Sequence, residues 1–426
     1  MESVRNSGLD ILQASEGRET MIPVVGVGYS EVEDSFLAGQ EAARSAFVKG
    51  GLERCNLAIL FSTCQHEPQS LRDGVRSVIG PDARLIGGWA VGSFTNDHMG
   101  YGGFQVGIAI FSMSSSWFSL FKADGLADNE FEVGEMLGRM LAESGADKAD
   151  IPKLLFYDSI NRLSGKARLN MATPFLAGIR KAMPEFQNTV GAGLVGDMAG
   201  GSTYQWFDDE ISQQSAMALT FSPHIGMRAA ILRGASPVGG YHTITRAEGA
   251  VVMEIDGRPA VDVISELLGG AKDPAEFAFY VMLGVNEGDP WEPYKEDNYC
   301  NYLCLRADIK RGHLIMFEPG LVAGSRFQLM GRSHDFSYIE QKVDELFDRV
   351  GDEQPFFAFY INCAGRAGAY AGTEDEDVNF VQRSINERAA LLGFYSGVEI
   401  GPVRGLVKSM DWTGVLCLFT IKNSEC

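Results

Sequence analysis

The 426-residue sequence has no long apolar run and few residues of the kinds that build disulfide or metal sites. No stretch reaches the roughly 18 apolar residues that a membrane helix needs, so we expect no membrane insertion. The seven cysteines stand at irregular spacing, which is typical of reduced thiols and not of a disulfide framework. Residues 1–15 are charged and lack the apolar region of a secretory signal. These absences together predict a cytoplasmic protein.

Basic residues are outnumbered, with 36 Lys and Arg against 56 Asp and Glu, and the formal net charge is -20. An acidic surface repels phosphate backbones and anionic lipids, so we expect neither nucleic acid nor a membrane as a partner. The chain is longer than one hydrophobic core normally serves, which favours two domains or three small ones.

Motifs that carry catalysis are scarce as well. The sequence contains no G-x-S-x-G elbow and no H-E-x-x-H pair, and its six histidines are isolated. A dinucleotide pattern at residues 191–196 lacks the helix that should follow it, which favours strand packing or a ligand-facing turn over nucleotide binding. We therefore assign no catalytic residue and expect that the chain is not an enzyme.

What the sequence does contain is an internal repeat. Three segments begin with a strongly apolar strand that ends in polar residues, at residues 57–61, 154–157 and 356–361. A helical pattern follows each strand, at residues 71–79, 175–183 and 378–392. A glycine then precedes a polar residue by six positions, in the pairs Gly87 and Ser93, Gly191 and Asp197, and Gly393 and Glu399. An apolar strand closes each unit, at residues 106–111, 216–221 and 415–419.

The repeat predicts an α/β or α+β fold, in which repeated β-α-β-β units form mixed sheets flanked by helices. Residues 240–335 differ from the repeat and predict a short helix within a meander of strands. We predict a lead segment at residues 1–24, an N-terminal domain with two repeat units at 25–238, and a C-terminal domain at 239–426.

The order of these motifs resembles the FIST family, with an N-terminal and a C-terminal FIST domain in tandem. The N-terminal resemblance rests on the sequences LIGGWAVGS at residues 85–93 and VGAG at 190–193. The C-terminal resemblance rests on EIDGRPA at 254–260, NCAGR at 362–366 and GFYSGVEIGP at 393–402. The chain departs from the family at one point, because Val398 precedes Glu399 where the family usually has glycine.

The resemblance implies an intracellular sensory protein that binds small molecules such as amino acids. Relatives are coupled to bacterial signalling proteins, so a histidine kinase or another transduction protein is the expected partner. Some bacterial relatives are haem proteins that respond to nitric oxide, which leaves a haem-based nitric oxide sensor as the alternative function. His98 or His334 could serve as an axial ligand of such a haem, although neither is assigned.

Candidate ligand-binding residues stand at the strand ends of the repeat, where ligands usually collect in α/β sheets. Arg366 suits a carboxylate and Glu399 an amine, so the two could bind a zwitterion; an Arg366–Glu399 ion pair that holds the domain together is an equal alternative. Cys363 beside Arg366 leaves a cysteine-dependent enzyme as a weaker alternative. The predicted set is Ser62, Thr63, Cys64, Gly88, Trp89, Ser93, Asp197, Cys363, Arg366, Tyr395 and Glu399, with no metal ligand assigned.

Overall fold

The computed structural model describes residues 22–270 and 272–422. The lead segment predicted at residues 1–24 lies outside the described residues except for its last three. Within the described part, no helix is both long enough and apolar enough to span a membrane.

The chain folds as three similar repeats around one shared cluster of buried apolar side chains. The first repeat contains β1 (Val24–Ser30), α1 (Ser35–Gly50), β2 (Leu57–Ser62), α2 (Pro68–Ile79), β3 (Arg84–Trp89), β4 (Gly92–Thr95), β5 (Met99–Tyr101) and β6 (Val106–Ser112). The second repeat contains β7 (Phe118–Asp124), α3 (Glu130–Glu143), β8 (Lys153–Asp158), β9 (Ile160–Asn161), β10 (Arg168–Leu169), α4 (Ala172–Ala182), β11 (Thr189–Leu194), β12 (Gln205–Phe207), β13 (Glu210–Ser212) and β14 (Ser215–Phe221).

The third repeat is interrupted by residues 235–332, which we call the insertion. The third repeat begins with β15 (Ile225–Leu232). The insertion then supplies β16 (Ala235–Glu248), β17 (Val251–Ile255), β18 (Arg258–Pro259), α5 (Ala260–Leu267), β19 (Met282–Asn286), β20 (Tyr299–Asp308), β21 (His313–Met316) and β22 (Arg326–Arg332). The repeat resumes with α6 (Tyr338–Asp348), β23 (Gln354–Cys363), α7 (Gly368–Ala371), α8 (Asp377–Ile385), β24 (Ala390–Ser396), β25 (Val398–Val403), β26 (Leu406–Met410) and β27 (Gly414–Ile421). The three repeats together form what we call the core.

Each repeat builds most of one sheet and donates a hairpin to the sheet of another repeat. The strand orders are β1-β6-β2-β3-β12-β13, β7-β14-β8-β11-β25-β26 and β15-β27-β23-β24-β4-β5. The hairpin β4-β5 therefore extends the third sheet, β12-β13 the first, and β25-β26 the second. Because each of these three sheets combines strands of two repeats, backbone hydrogen bonds tie the three repeats to one another.

The insertion forms a further sheet in the order β16-β22-β19-β20-β21-β17-β18, and β16 also pairs with β17. The sheet therefore curls back on itself, and α5 contacts β17 and β21. Cys300 and Phe327 of the insertion belong to the same cluster of buried side chains as Phe359 of the core. The insertion is thus packed against the core through apolar contacts.

The three glycines of the sequence repeat have one structural role. Gly87, Gly191 and Gly393 lie on β3, β11 and β24, each paired in parallel with the opening strand of its own repeat. A side chain at any of them would collide with a neighbouring carbonyl oxygen, which belongs to Leu60, Leu155 or Tyr360. The glycine spacing therefore marks a close approach of two strands.

The predicted fold class is confirmed, since mixed sheets are flanked by helices and the repeat is present three times. Each repeat is longer than predicted, because a further strand and helix precede the opening strand (β1-α1, β7-α3 and β15-α6). The helix predicted at residues 378–392 ends at Ile385, since Asn386 has a φ of 42° and β24 begins at Ala390. The boundary between residues 238 and 239 falls within β16, and the division into two domains stays a prediction.

Candidate functional site

A cavity of about 720 Å³ lies where the insertion meets the second and third repeats. The ends of β8 and β24 bring Ser159 and Ser396 into its wall, and residues 167–170 and 195–200 form another side. The remaining lining includes Phe279, Leu303, Leu305, Phe317, Glu318 and Arg332 of the insertion, and Cys363, Tyr370, Asp411 and Trp412 of the third repeat. Its size falls within the range of about 300–1,000 Å³ that is usual for sites of small organic ligands.

Arg332, the last residue of β22, brings a positive charge into the cavity wall. Its Cζ atom lies 3.6 Å from the centre of the Trp412 ring, and its Nη2 donates to the carbonyl of Phe279. Nε is buried without a hydrogen-bond partner, and no carboxylate of the described residues forms an ion pair with Arg332. Burial lowers the pKa of this guanidinium. A bound anion would supply the missing partner.

Phe279 and Trp412, which contact Arg332, both have left-handed backbone conformations, with φ of 58° and 52°. Bulky side chains are outliers in this region, and each such residue costs about 1–3 kcal/mol. The other described non-glycine residues with positive φ are all polar, namely Asn188, Asp208, Gln214, Asp256, Asn386 and Arg404. The aromatic surroundings of Arg332 are therefore held in place at a cost in stability.

Two buried carboxyl groups line the same cavity and connect the insertion to the core. Glu318 accepts the backbone N–H groups of Ala172 and Thr173, each at 2.8 Å, at the start of α4. Asp411 accepts the backbone N–H of Leu303 at 2.7 Å. Despite these hydrogen bonds, burial raises the pKa of Glu318 to about 7 and that of Asp411 to about 8. Both groups are therefore at least partly protonated near neutral pH.

Glu399 is buried beside the cavity and does not line it. Its Oε1 accepts from the hydroxyl of Ser396 at 2.7 Å, and its Oε2 accepts from the backbone N–H of Thr413 at 3.2 Å. Cys363 does line the cavity, and burial together with the nearby Glu399 raises the pKa of its thiol well above the usual value. A buried neutral thiol is a poor nucleophile, so this geometry does not favour cysteine-dependent catalysis.

Arg366 and Tyr395 are engaged with partners inside the third repeat. Arg366 Nη2 lies 2.6 Å from Asp377 Oδ2, and its Nη1 donates to backbone carbonyls. The ion pair with Glu399 that the sequence left open is not formed. Tyr395 donates its hydroxyl to the buried carboxylate of Glu376. Neither residue lines the cavity, because both side chains are used to fix α8 and its N-terminal loop against the sheet.

The predicted residues of the first repeat gather at a different place. Cys64 and Trp89 surround Gly196, and the ring centres of Trp89 and Tyr204 lie 4.8 Å apart. The hydroxyls of Ser62 and Thr63 donate to backbone carbonyls, Gly88 packs against Leu194, and Ser93 is buried with its hydroxyl unpaired. Of the whole predicted set, the structure brings only Asp197 and Cys363 into the cavity wall.

Asp197 lies at the rim of the cavity, in a loop that its counterparts lack. The sheet register places Ser93, Glu399 and Gln205 at equivalent positions on the three donated hairpins. Gln205, and not Asp197, is therefore the second-repeat counterpart, because the connection after β11 is eight residues longer than in the other repeats. The additional residues lie in the connection 195–204, and residues 195–200 of this connection supply one wall of the cavity.

Sequence reasoning missed Arg332, Phe279, Trp412, Glu318 and Asp411. Asp411 and Trp412 stand just before the closing strand β27. A polar and an aromatic residue at the start of a buried strand could have indicated a binding site. For the three residues of the insertion, the sequence carried no local signal. Their place in the site depends on how the insertion packs against the core.

The residues present do not fit a histidine-ligated haem in this cavity. His98 is exposed and stacks on Tyr29, with ring centres 5.0 Å apart, and His334 is exposed as well. Across residues 22–270 and 272–422, no histidine lines the cavity, and no group of three His, Cys, Asp or Glu residues is arranged to hold a metal ion. Haem binding and nitric oxide sensing therefore receive no support from the geometry.

Comparison with family models gives two matches, in tandem. The model described as the FIST N domain matches residues 56–258, and the model described as the FIST C domain matches residues 260–402. Together the two matches cover most of the chain.

Two curated mycobacterial proteins are similar to part of this chain. An uncharacterised protein of Mycobacterium tuberculosis is 24% identical over 235 residues, which is 54% of this chain and 60% of the relative. An uncharacterised protein of Mycobacterium bovis is 22% identical over 236 residues, with the same coverage of 54% and 60%. The chain thus spans 60% of the length of the curated relatives it matches.

Among solved structures, the chain is similar to cyanuric acid hydrolases. One, from A. caulinodans, has a TM-score of 0.37 and 8% identity, and the match covers 94% of this chain and 100% of the hydrolase. A second has a TM-score of 0.36 and 7% identity with the same coverage. These neighbours are enzymes, so they contradict our prediction that the chain is not an enzyme, and we withdraw it. At TM-scores below 0.5, the likeness carries no argument about a reaction or a substrate.

Proposed function

This chain belongs to the FIST family, as its motif order predicted, and we propose on that basis that it senses a small organic metabolite held in the cavity. FIST domains are associated with sensory roles in which small ligands are bound. The sequence led us to expect amino acids or similar metabolites, which carry a carboxylate. The cavity offers such a group a place at Arg332.

The observation that carries the proposal is the arginine without a counter-ion. Arg332 lies over Trp412 at 3.6 Å, and its Nε atom is buried and unpaired. Arg366, which is also buried but lies outside the cavity wall, differs in having a 2.6 Å ion pair with Asp377. A partly buried charge that lacks an acidic partner is costly unless a ligand completes it. We therefore assign Arg332 as the anchor of the ligand's acidic group.

We further propose that the ligand acts on the contact between the insertion and the core. The cavity wall combines insertion residues such as Phe317 with core residues such as Tyr370, so one ligand would touch both parts. A ligand shifts a conformational equilibrium only as far as it binds one arrangement more tightly than another. Occupancy would favour the arrangement in which the insertion is packed against the core, and a signalling protein such as a histidine kinase would respond to that change.

A panel of organic acids and amino acids, screened by the melting temperature of the full chain, tests this function. We expect at least one compound to raise the melting temperature by a few degrees, since a ligand at 100 times its Kd contributes about 2.7 kcal/mol. Arg332→Gln should abolish the increase. Arg326→Gln is the matched control, because Arg326 begins the same strand and also lies over an aromatic ring, that of Tyr241, but does not line the cavity.

The proposal fails if no compound of the panel changes the melting temperature. It also fails if the increase persists in Arg332→Gln, because the ligand would then bind elsewhere.

A further inference from the structure

We propose that the ligand is an organic acid with one anionic group and a large apolar, aromatic-compatible body, and that the site has no place for an ammonium group. This inference rests on the proposed function and narrows it. The inference distinguishes the ligand from free amino acids, which carry both a carboxylate and an ammonium group. Three features of the cavity support it: the anchor, the apolar wall and the state of the carboxyl groups.

The anchor is a single partly buried cation, because the other arginine of the cavity lining, Arg168, is exposed on β10. Trp412 holds the guanidinium of Arg332 from one face, and the Phe279 carbonyl accepts from Nη2. The side chain is therefore fixed before the ligand arrives, and little side-chain freedom is lost on binding. The two neighbouring residues keep left-handed backbone conformations that disfavour aromatic side chains, which indicates that aromatic surfaces are required at this point.

The rest of the wall is mainly apolar and too large for a small acid. Phe279, Phe317, Tyr370 and Trp412 contribute aromatic surface, and Leu303 and Leu305 add aliphatic surface. A short acid such as butyrate would fill only a small part of the 720 Å³. Burial of apolar groups is the main source of affinity in such a site, and each buried methylene improves binding about fourfold. A ligand with a ring and a short aliphatic chain fits this wall better than a polar metabolite.

The carboxyl groups that line the cavity already accept hydrogen bonds from backbone N–H groups. Glu318 uses both oxygens for the N–H groups at the start of α4, and Asp411 uses Oδ2 for Leu303. Burial raises the pKa of Glu318 to about 7 and that of Asp411 to about 8, so near neutral pH each carries only part of a negative charge for an ammonium group. Asp197 accepts the N–H groups of Ala199 and Gly201 with Oδ1 and lies at the solvated rim. An ion pair at such a rim adds little affinity.

Glu399 and Arg366, which the sequence suggested for a zwitterion, do not change this picture. Both oxygens of Glu399 accept hydrogen bonds from the third repeat, and Arg366 is paired with Asp377. An ammonium group placed in the cavity would therefore lose its water shell without gaining a charged partner.

Calorimetric titration of the full chain with four matched compounds tests the inference. The compounds are 4-phenylbutyrate, its amide, butyrate, and 2-amino-4-phenylbutyrate, which adds an ammonium group to the first. We expect 4-phenylbutyrate to bind most tightly, and the amide to bind at least about tenfold more weakly because a charge-assisted hydrogen bond is lost. Butyrate and the amino acid should also bind at least about tenfold more weakly. Arg332→Gln should remove the preference for the acid over its amide, and Arg326→Gln should keep it.

The outcomes separate the two proposals. If the amino acid binds as tightly as 4-phenylbutyrate or more tightly, and does so through Arg332, the inference is overturned while the proposed function stands. Equal binding of the acid and its amide removes the anionic anchor, and butyrate binding as tightly as 4-phenylbutyrate removes the apolar body. If none of the four compounds binds, the inference is overturned, and only the wider panel of acids then decides the proposed function.

Discussion

At the scale of single residues, we propose that Arg332 and the two aromatic residues beside it, Phe279 and Trp412, set what the cavity binds. The Trp412 ring and the Phe279 carbonyl orient the guanidinium, and Nε is left without a partner. Orientation before binding reduces the entropy that a ligand must overcome. The strained φ angles of both aromatic residues show that this arrangement is imposed by the surrounding structure and not by local preference.

Asp411 gives a pH dependence of stability that can be measured. Burial raises its pKa from 3.8 to about 8, so the folded protein keeps a proton that the unfolded chain releases above about pH 4. The free energy of unfolding should therefore fall as pH rises between these values. Glu318, with a pKa raised to about 7 by burial, acts in the same direction. Asp411→Asn keeps an oxygen for the Leu303 N–H and should make the dependence shallower.

Urea denaturation at pH 5.5 and at pH 8.5 checks this prediction. Asp262→Asn is the control, because Asp262 lies exposed on α5 and should leave the dependence of the wild type unchanged. The same loss of stability between the two pH values in Asp411→Asn and in the wild type would contradict the assignment.

Residue roles could be predicted from the sequence only where they depend on the repeat. The column of Gly87, Gly191 and Gly393 was recognisable because the same close approach of strands recurs three times. The partner of Arg366 was not recognisable, because Asp377 and Glu399 both follow it in the same repeat and only the packing of α8 decides between them. The role that we propose for Arg332 depends on a contact between two segments that are distant in sequence, those of Arg332 and Trp412.

At the scale of elements, α4 begins without a side-chain cap of its own. Met171 occupies the N-cap position and forms no capping hydrogen bond, and Glu318 of the insertion accepts the first two N–H groups instead. When it is ionised, the Glu318 carboxylate also faces the positive end of the helix dipole. The insertion therefore contacts the core at the N-terminus of α4, where Glu318 supplies the hydrogen-bond acceptor that Met171 lacks.

Glu318→Ala should leave those two N–H groups without an acceptor. We expect amide exchange of Ala172 and Thr173 to accelerate about fivefold or more, which corresponds to the roughly 1 kcal/mol of a lost cap. Exchange measured by NMR or mass spectrometry checks this, with the exposed Glu340→Ala on α6 as control. Unchanged exchange at the start of α4 would show that Glu318 does not cap the helix.

Elements were predictable where one strand or helix carries its own pattern. The apolar opening and closing strands were visible because they are buried on both faces. The exchange of hairpins was not, since the partner of β4 or of β25 lies hundreds of residues away in sequence. Pairing over such distances leaves no periodic signal.

At the scale of the whole molecule, the exchanged hairpins make the three repeats depend on one another. The second sheet needs β25-β26 from the third repeat, and the hairpin β4-β5 needs β24. A fragment of residues 1–238, which includes the predicted N-terminal domain, would lack both. It would expose unpaired strand edges and part of the common apolar core.

We expect the fragment 1–238 alone to show no cooperative thermal transition by circular dichroism. Co-expression with residues 239–426 should restore a cooperative transition, because the missing strands are then supplied. A cooperative transition of the isolated fragment would instead support an independent N-terminal domain and contradict the importance of the exchanged hairpins.

The central claim is that a ligand acid occupies the cavity between the insertion and the core. Hydrogen exchange of the full chain, followed by mass spectrometry with and without 4-phenylbutyrate, tests it most directly. We predict slower exchange in the cavity segments around residues 160–170, 195–200 and 411–413 together, and no such change in Arg332→Gln. Protection confined to segments that do not line the cavity, or no protection at a concentration that saturates binding, would contradict the claim.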